Sequence, residues 1–175
     1  MSRIISGQFG GLYIANPKHA IRPTTGKVKE YIFNVLQNIE GRCVLDLFCG
    51  TGALGIEALS RYADHVTFLD KHPKSLQLTK ESLENLKIDP RQWKCIKANA
   101  LTWLSKKDVE YDLIMADPPY NLELPGSFFT LCREHLSKNG HLILEYSSRK
   151  ELDFEGWKAE KIKKMGDTVV YFLQK

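Results

Sequence analysis

Beyond residue 42, short apolar runs alternate with amphipathic stretches. The runs at 43–48, 65–70, 93–98, 111–116, 140–146, 157–163 and 168–174 read as strands. The stretches at 53–62, 73–87 and 127–137 read as helices, with Leu76, Thr79, Leu83 and Leu86 forming one stripe of the second. Strand–helix alternation predicts a largely parallel sheet covered by helices on both faces. No helix separates the last two strands, and Met165-Gly166-Asp167 between them reads as a turn, so the sheet should end in an antiparallel hairpin.

Ahead of this core, Val28, Tyr31, Ile32, Val35, Leu36 and Ile39 recur at helical spacing and predict a helix over 26–39 with one buried face. Arg3 to Ser6 and Leu12 to Ala15 can pair as a short hairpin through Gly7-Gln8-Phe9-Gly10-Gly11. Residues 1–42 are thus an appendage on a core formed by 43–175, and 1–175 reads as one domain without repeats or linkers.

Composition narrows the class. With 175 residues, 43% hydrophobic and 26% charged, the chain can bury a full core and is neither disordered nor fibrous. The longest apolar run, 169–173, is far short of the roughly 20 residues of a membrane helix. The N-terminus lacks the apolar stretch of a secretory signal. A cytoplasmic, monomeric protein is the expectation. Cys43, Cys49, Cys95 and Cys132 show no Cys-x-x-Cys pair and no His at ligand spacing, which points to free thiols and no metal. The formal charge is +4, and all of the excess lies in residues 1–42, where Arg3, Lys18, Arg22, Lys27, Lys29 and Arg42 face only Glu30 and Glu40. Clustered positive charge attracts a polyanion, so this arm is a candidate nucleic-acid-facing element, although a plain solvated surface has the same composition.

Three strand ends carry candidate chemistry. In Asp46-Leu47-Phe48-Cys49-Gly50-Thr51-Gly52-Ala53-Leu54-Gly55, a glycine turn joins a strand to a helix and lets a ligand approach the backbone. Asp46 would repel a dinucleotide pyrophosphate but could pair with the ammonium of an amino-acid-bearing cofactor, which favours S-adenosylmethionine over NAD. Asp70 ends the next strand, where a carboxylate can accept hydrogen bonds from ribose hydroxyls. The fourth strand runs into Asp117-Pro118-Pro119-Tyr120. Two prolines remove two N–H donors, leaving an acceptor-rich edge beside an aromatic plate. Asp117 and the Pro118 carbonyl could hold an exocyclic amine with its lone pair turned to an electrophilic methyl, while Tyr120 stacks on the base. Ligands bind beyond the carboxyl ends of strands in this architecture, so the three features belong on one edge.

Asp117 to Tyr120 matches the Asp/Asn-Pro-Pro-aromatic motif of amino-methyltransferases. Arg3-Ile4-Ile5-Ser6-Gly7, Arg22-Pro23-Thr24-Thr25, Phe33-Asn34-Val35-Leu36, Asp46 to Arg61 and Gly166-Asp167-Thr168 together resemble the bacterial RsmD-like family over essentially the whole chain. That family methylates N2 of a guanine in 16S ribosomal RNA. The resemblance implies a Rossmann-like class I methyltransferase fold with a seven-stranded sheet and S-adenosylmethionine as cofactor. It places the cofactor on Asp46, Phe48, Gly50, Thr51, Gly52, Asp70, Asn99 and Ala100, and the catalytic contacts on Asp117, Pro118, Pro119 and Tyr120. RNA would meet Arg3, Lys18, Arg22, Thr24, Thr25 and Lys27, with 16S RNA or the assembling small subunit as partner. Gly26 and Lys29 stand where the family usually has Asp and Arg, Tyr62 where Gly is common, and Asn99 where an aspartate often meets the adenine amine. The rivals are an adenine-N6 nucleic-acid methyltransferase, a small-molecule methyltransferase, an NAD oxidoreductase, and an RNA-binding assembly factor that has kept the fold without the activity.

Overall fold

The computed structural model describes residues 2–15, 25–106 and 109–175. Seven strands form one sheet: β3 (Cys43–Leu47), β4 (His65–Asp70), β5 (Trp93–Lys97), β6 (Tyr111–Ala116), β7 (Leu136–Ser147), β8 (Lys158–Met165) and β9 (Thr168–Gln174). Their order is β5-β4-β3-β6-β7-β9-β8. The pairs from β5 through β7 are parallel, and β9 is antiparallel to both β7 and β8. This is the mixed sheet expected from the alternation of elements.

The side-chain period of two sorts each strand between two cores. Val44, Val66, Phe68, Leu113, Met115, Ile143 and Phe172 face one core, shared with Ile32 and Phe33 of α1 (Gly26–Leu36), Ile56 and Leu59 of α2 (Ala53–Ser60), and Leu76 and Leu83 of α3 (Pro73–Asn85). Leu45, Leu47, Ile114, Ala116, Leu142, Leu144 and Leu173 face the other, beneath Trp103 and Leu104 of α4 (Ala100–Leu104) and Phe128 and Cys132 of α5 (Gly126–Glu134). Being apolar on both faces is what makes the central strands near-continuous hydrophobic runs.

Several boundaries depart from the sequence pattern. Helix α1 ends at Leu36 rather than 39, where Gln37 turns to φ 55°. Helix α4 is absent from the pattern because five residues are too few to show a helical period; Asn99 caps it, its Oδ1 accepting from the Thr102 N–H at 3.2 Å. Strand β7 starts at Leu136, with an irregular register between Tyr111 and Leu113 of β6 accommodating Ser137 to Gly140. Helix α5 therefore stops at Glu134.

The N-terminal hairpin pairs only β1 (Ser2–Arg3) with β2 (Tyr13–Ile14), yet it is firmly attached to α2. Glu57, fully buried, accepts from the Ile5 N–H at 2.8 Å and the Ser6 N–H at 3.1 Å. The same carboxylate meets Lys29 Nζ at 3.1 Å and Arg61 Nε at 2.9 Å. Lys29 is 1% exposed and also donates to the Arg3 carbonyl at 2.7 Å. Burial lowers its pKa, while the Glu57 charge opposes that shift. Gly7 closes the attachment: at φ 83°, any Cβ would lie 1.8 Å from the Ser60 carbonyl oxygen. The lysine of the basic arm that departs from the family pattern is thus part of an internal ionic joint rather than of an exposed basic face.

Candidate active site

The strand order reverses between β3 and β6, since β4 and β5 extend one way from β3 and β6 and β7 the other. Loops leaving the carboxyl ends of such strands part and leave a crevice. A cavity of about 430 Å³ lies there, lined by Phe48 and Gly50 after β3, Asp70 and His72 at the end of β4, Ala98 to Ala100 after β5, Asp117 to Leu122 after β6, and Glu145 of β7. Among the described residues no His, Cys, Asp and Glu cluster is arranged to hold a metal, and no helix is long and apolar enough to cross a membrane.

Asp70 ties two of these loops together. Its Oδ2 accepts from the Gly50 N–H at 2.9 Å and its Oδ1 from the His72 N–H at 2.8 Å. Each carboxylate oxygen keeps a further lone pair for a ligand. The β3 loop is held in left-handed backbone at Phe48 (φ 58°), Gly50 (φ 55°) and Gly52 (φ 77°). A Cβ on Gly52 would stand 2.6 Å from Thr79 Cγ2, so that glycine serves the packing of the turn on α3. Such a conformation in a non-glycine residue costs about 1–3 kcal/mol, and Phe48 carries it within the cavity lining.

Asp46, expected to pair with the ammonium of a cofactor, lies behind the cavity wall. It is 1% exposed and does not line the cavity; its Oδ2 accepts from the Gly55 N–H in α2 at 2.9 Å. Burial raises its pKa to about 8, the Gly55 hydrogen bond acts against that rise, and the charges of Asp117 and Asp70 add to it. That hydrogen bond fixes the turn to the helix, behind the cavity wall. Thr51 and Gly52 also lie outside the lining, whereas Phe48, Gly50, Asp70, Asn99, Ala100 and Asp117 to Tyr120 belong to it.

The raised pKa has a measurable consequence. Between roughly pH 4 and pH 8 the folded chain keeps a proton on Asp46 that the unfolded chain has released, so stability falls as pH rises through that window. Asp46→Asn keeps an acceptor for Gly55 and removes the titration. Its unfolding free energy should therefore drop less than that of the wild type between pH 5 and pH 8, by on the order of a few kcal/mol. Equal pH slopes in urea denaturation would show that Asp46 is ionised throughout.

The loop after β6 is braced from β7. The Leu122 carbonyl accepts from Tyr146 Oη at 2.7 Å and Lys150 Nζ at 3.1 Å, and the Leu122 N–H donates to the Pro119 carbonyl at 2.8 Å. These bonds hold Asp117 to Tyr120 against the cavity although the segment has no regular structure. Of the residues expected to face RNA, Arg3 and Lys27 are exposed, and Thr25 caps α1 by accepting from the Val28 N–H at 3.3 Å. None of the three lines the cavity. Lys18, Arg22 and Thr24 lie outside the described residues.

One lining residue escaped the sequence reading: Glu145, 5% exposed. Its signal was the same as for Asp70 and Asp117, an acid at the carboxyl end of an apolar strand, here His141-Leu142-Ile143-Leu144-Glu145.

Comparison with known proteins resolves the affiliation. Residues 2–174 match the family described as Conserved hypothetical protein 95. Ribosomal RNA small subunit methyltransferase D of Escherichia coli is 36% identical, covering 82% of this chain and 70% of its own. This chain belongs to the ribosomal RNA small subunit methyltransferase D family. A putative rRNA methyltransferase of Bacillus subtilis, YlbH, is also 36% identical and covers 86% of the chain and 85% of its own length. Among solved structures, a putative methyltransferase from Escherichia coli superposes with a TM-score of 0.89 at 29% identity, covering 99% of this chain and 97% of that one. The family places this sheet and its switch-point cavity among methyltransferases.

Proposed function

We propose that this protein transfers a methyl group from S-adenosylmethionine to the exocyclic N2 amine of a guanine in 16S ribosomal RNA. The observation that carries this reading is the position of Asp117-Pro118-Pro119-Tyr120, in the wall of one cavity with Asp70 and the Phe48–Gly50 turn. The names of the relatives support ribosomal RNA of the small subunit as the substrate.

The residues present suit the cofactor: an acceptor carboxylate at Asp70, the open backbone of Phe48 and Gly50, and the Asn99–Ala100 helix start all line one space. Asp70 would take the ribose hydroxyls, and Asn99 and Ala100 the adenine end. Asp46 would act from behind by holding the turn. The sulfonium of the bound cofactor supplies an already activated methyl, so the chain needs no covalent nucleophile.

The chain's own work is alignment. Asp117 and the Pro118 carbonyl accept the amine hydrogens and leave its lone pair toward the methyl, Asp117 or water takes the proton that the amine loses as its new N–C bond forms, and Tyr120 covers the ring. Proximity and orientation can supply as much as roughly 7–11 kcal/mol of the barrier. A paired base cannot reach such a cavity, so the target nucleotide must be splayed out of its stack. The assembling small subunit is the partner, the cytoplasm the compartment and the monomer the working form.

Label transfer tests the reading: the protein and methyl-labelled cofactor, incubated with small-subunit particles lacking the modification, should label 16S RNA, and cofactor binding without label in RNA would refute it. The basic arm has its own test. Replacing Lys18, Arg22 and Lys27 together by Gln should weaken RNA binding and make it less sensitive to salt, because fewer counterions are released. An unchanged salt slope would put the arm elsewhere.

A further inference from the structure

Glu145 has no part in the mechanism above, yet it is built into the same cavity. Ala116 of β6 pairs with Leu144 of β7, which brings the next residues, Asp117 and Glu145, side by side at the sheet edge. Leu142, Leu144 and Tyr146 point to one core and Ile143 to the other, so Glu145 lies on the same sheet face as Leu113 and Met115 of β6. Its carboxylate is almost completely withdrawn from solvent and belongs to the cavity wall.

We propose that Glu145 selects guanine by accepting the hydrogen bond of its N1–H while Asp117 and Pro118 hold the adjacent N2 amine. This rests on the reading of the target as guanine N2. The chemistry of the base edges makes the selection. Guanine presents two neighbouring donors, N1–H and N2–H₂, whereas beside its amine adenine presents N1 as an acceptor, and cytosine presents N3 likewise. A carboxylate, which only accepts, bonds to the first pattern and opposes a lone pair in the others. A site built to hydrogen-bond a substrate group rejects an analogue lacking it far more strongly than an apolar pocket rejects a change of size.

The test uses reconstituted small-subunit particles carrying either guanine or 2-aminopurine at the methylated position. 2-Aminopurine keeps the N2 amine but has an unprotonated N1. The wild type should prefer guanine by roughly 100-fold or more in kcat/KM. Glu145→Gln, which offers an amide N–H as well as an oxygen, should lose activity on guanine, gain on 2-aminopurine and so narrow that ratio by at least about tenfold, with cofactor Kd and urea midpoint unchanged. A ratio unaltered in a folded, cofactor-binding Glu145→Gln variant would overturn the proposal while leaving guanine N2 as the target. Equal wild-type rates on the two bases would overturn it even if the variant failed to fold. Methylation of a base other than guanine by the wild type would remove the reading on which it rests, a result distinguishable from both.

Discussion

Asp117→Ala should reduce methyl transfer by about 10²–10³-fold or more, the range seen when one preorganised polar contact to a reacting group is deleted, while cofactor Kd changes by no more than about threefold. Asp117 lies in the cavity wall between the Asp70 side and Glu145, at the start of the Pro-Pro turn. In the proposed mechanism its removal would leave the amine with only the Pro118 carbonyl, so the lone pair would no longer be fixed toward the methyl. Asp117→Asn, the other residue found in this motif, keeps an acceptor oxygen and should retain much more activity than Ala. Single-turnover rates at saturating cofactor separate alignment from binding. A full-rate Asp117→Ala enzyme would take Asp117 out of the mechanism.

The second large effect concerns stability. Glu57→Ala should cost about 3–5 kcal/mol, the usual result of stripping one partner from a buried ion pair. It strands Lys29 in the interior and removes the acceptor of the Ile5 and Ser6 N–H groups together. Pairing it with Lys29→Met removes the stranded charge and should recover a substantial part of the loss. Urea denaturation of the two variants checks this; a loss below about 1 kcal/mol for Glu57→Ala would mean that water or another group compensates Lys29.

The parallel core was legible because its strands are apolar on both faces and its helices carry clear stripes. What escaped is set by contacts distant in sequence. Lys29 reads as part of a basic arm, and only its meeting with Glu57, 28 positions away, makes it an interior residue. Leu136 and Ser137 read as the end of a helix, yet the chain from Leu136 to Gly140 is strand, pairing irregularly with β6. Tyr62 occupies a position at φ 68°, which accounts for glycine being common there in the resembling family. In the site, acids at strand ends point to the edge where the cavity lies, but which of them line it depends on contacts between distant residues. Asp46 accepts from the Gly55 N–H and does not line the cavity, while Glu145 lines it with no motif around it.

The central claim is the identity of the methylated atom. Small-subunit particles from cells lacking the activity are incubated with the protein and S-adenosylmethionine, and the RNA is digested to nucleosides and resolved by mass spectrometry. The proposed function predicts new N2-methylguanosine and no other new methylated nucleoside. N6-methyladenosine in its place, or no methylated product from protein that binds the cofactor, would contradict it.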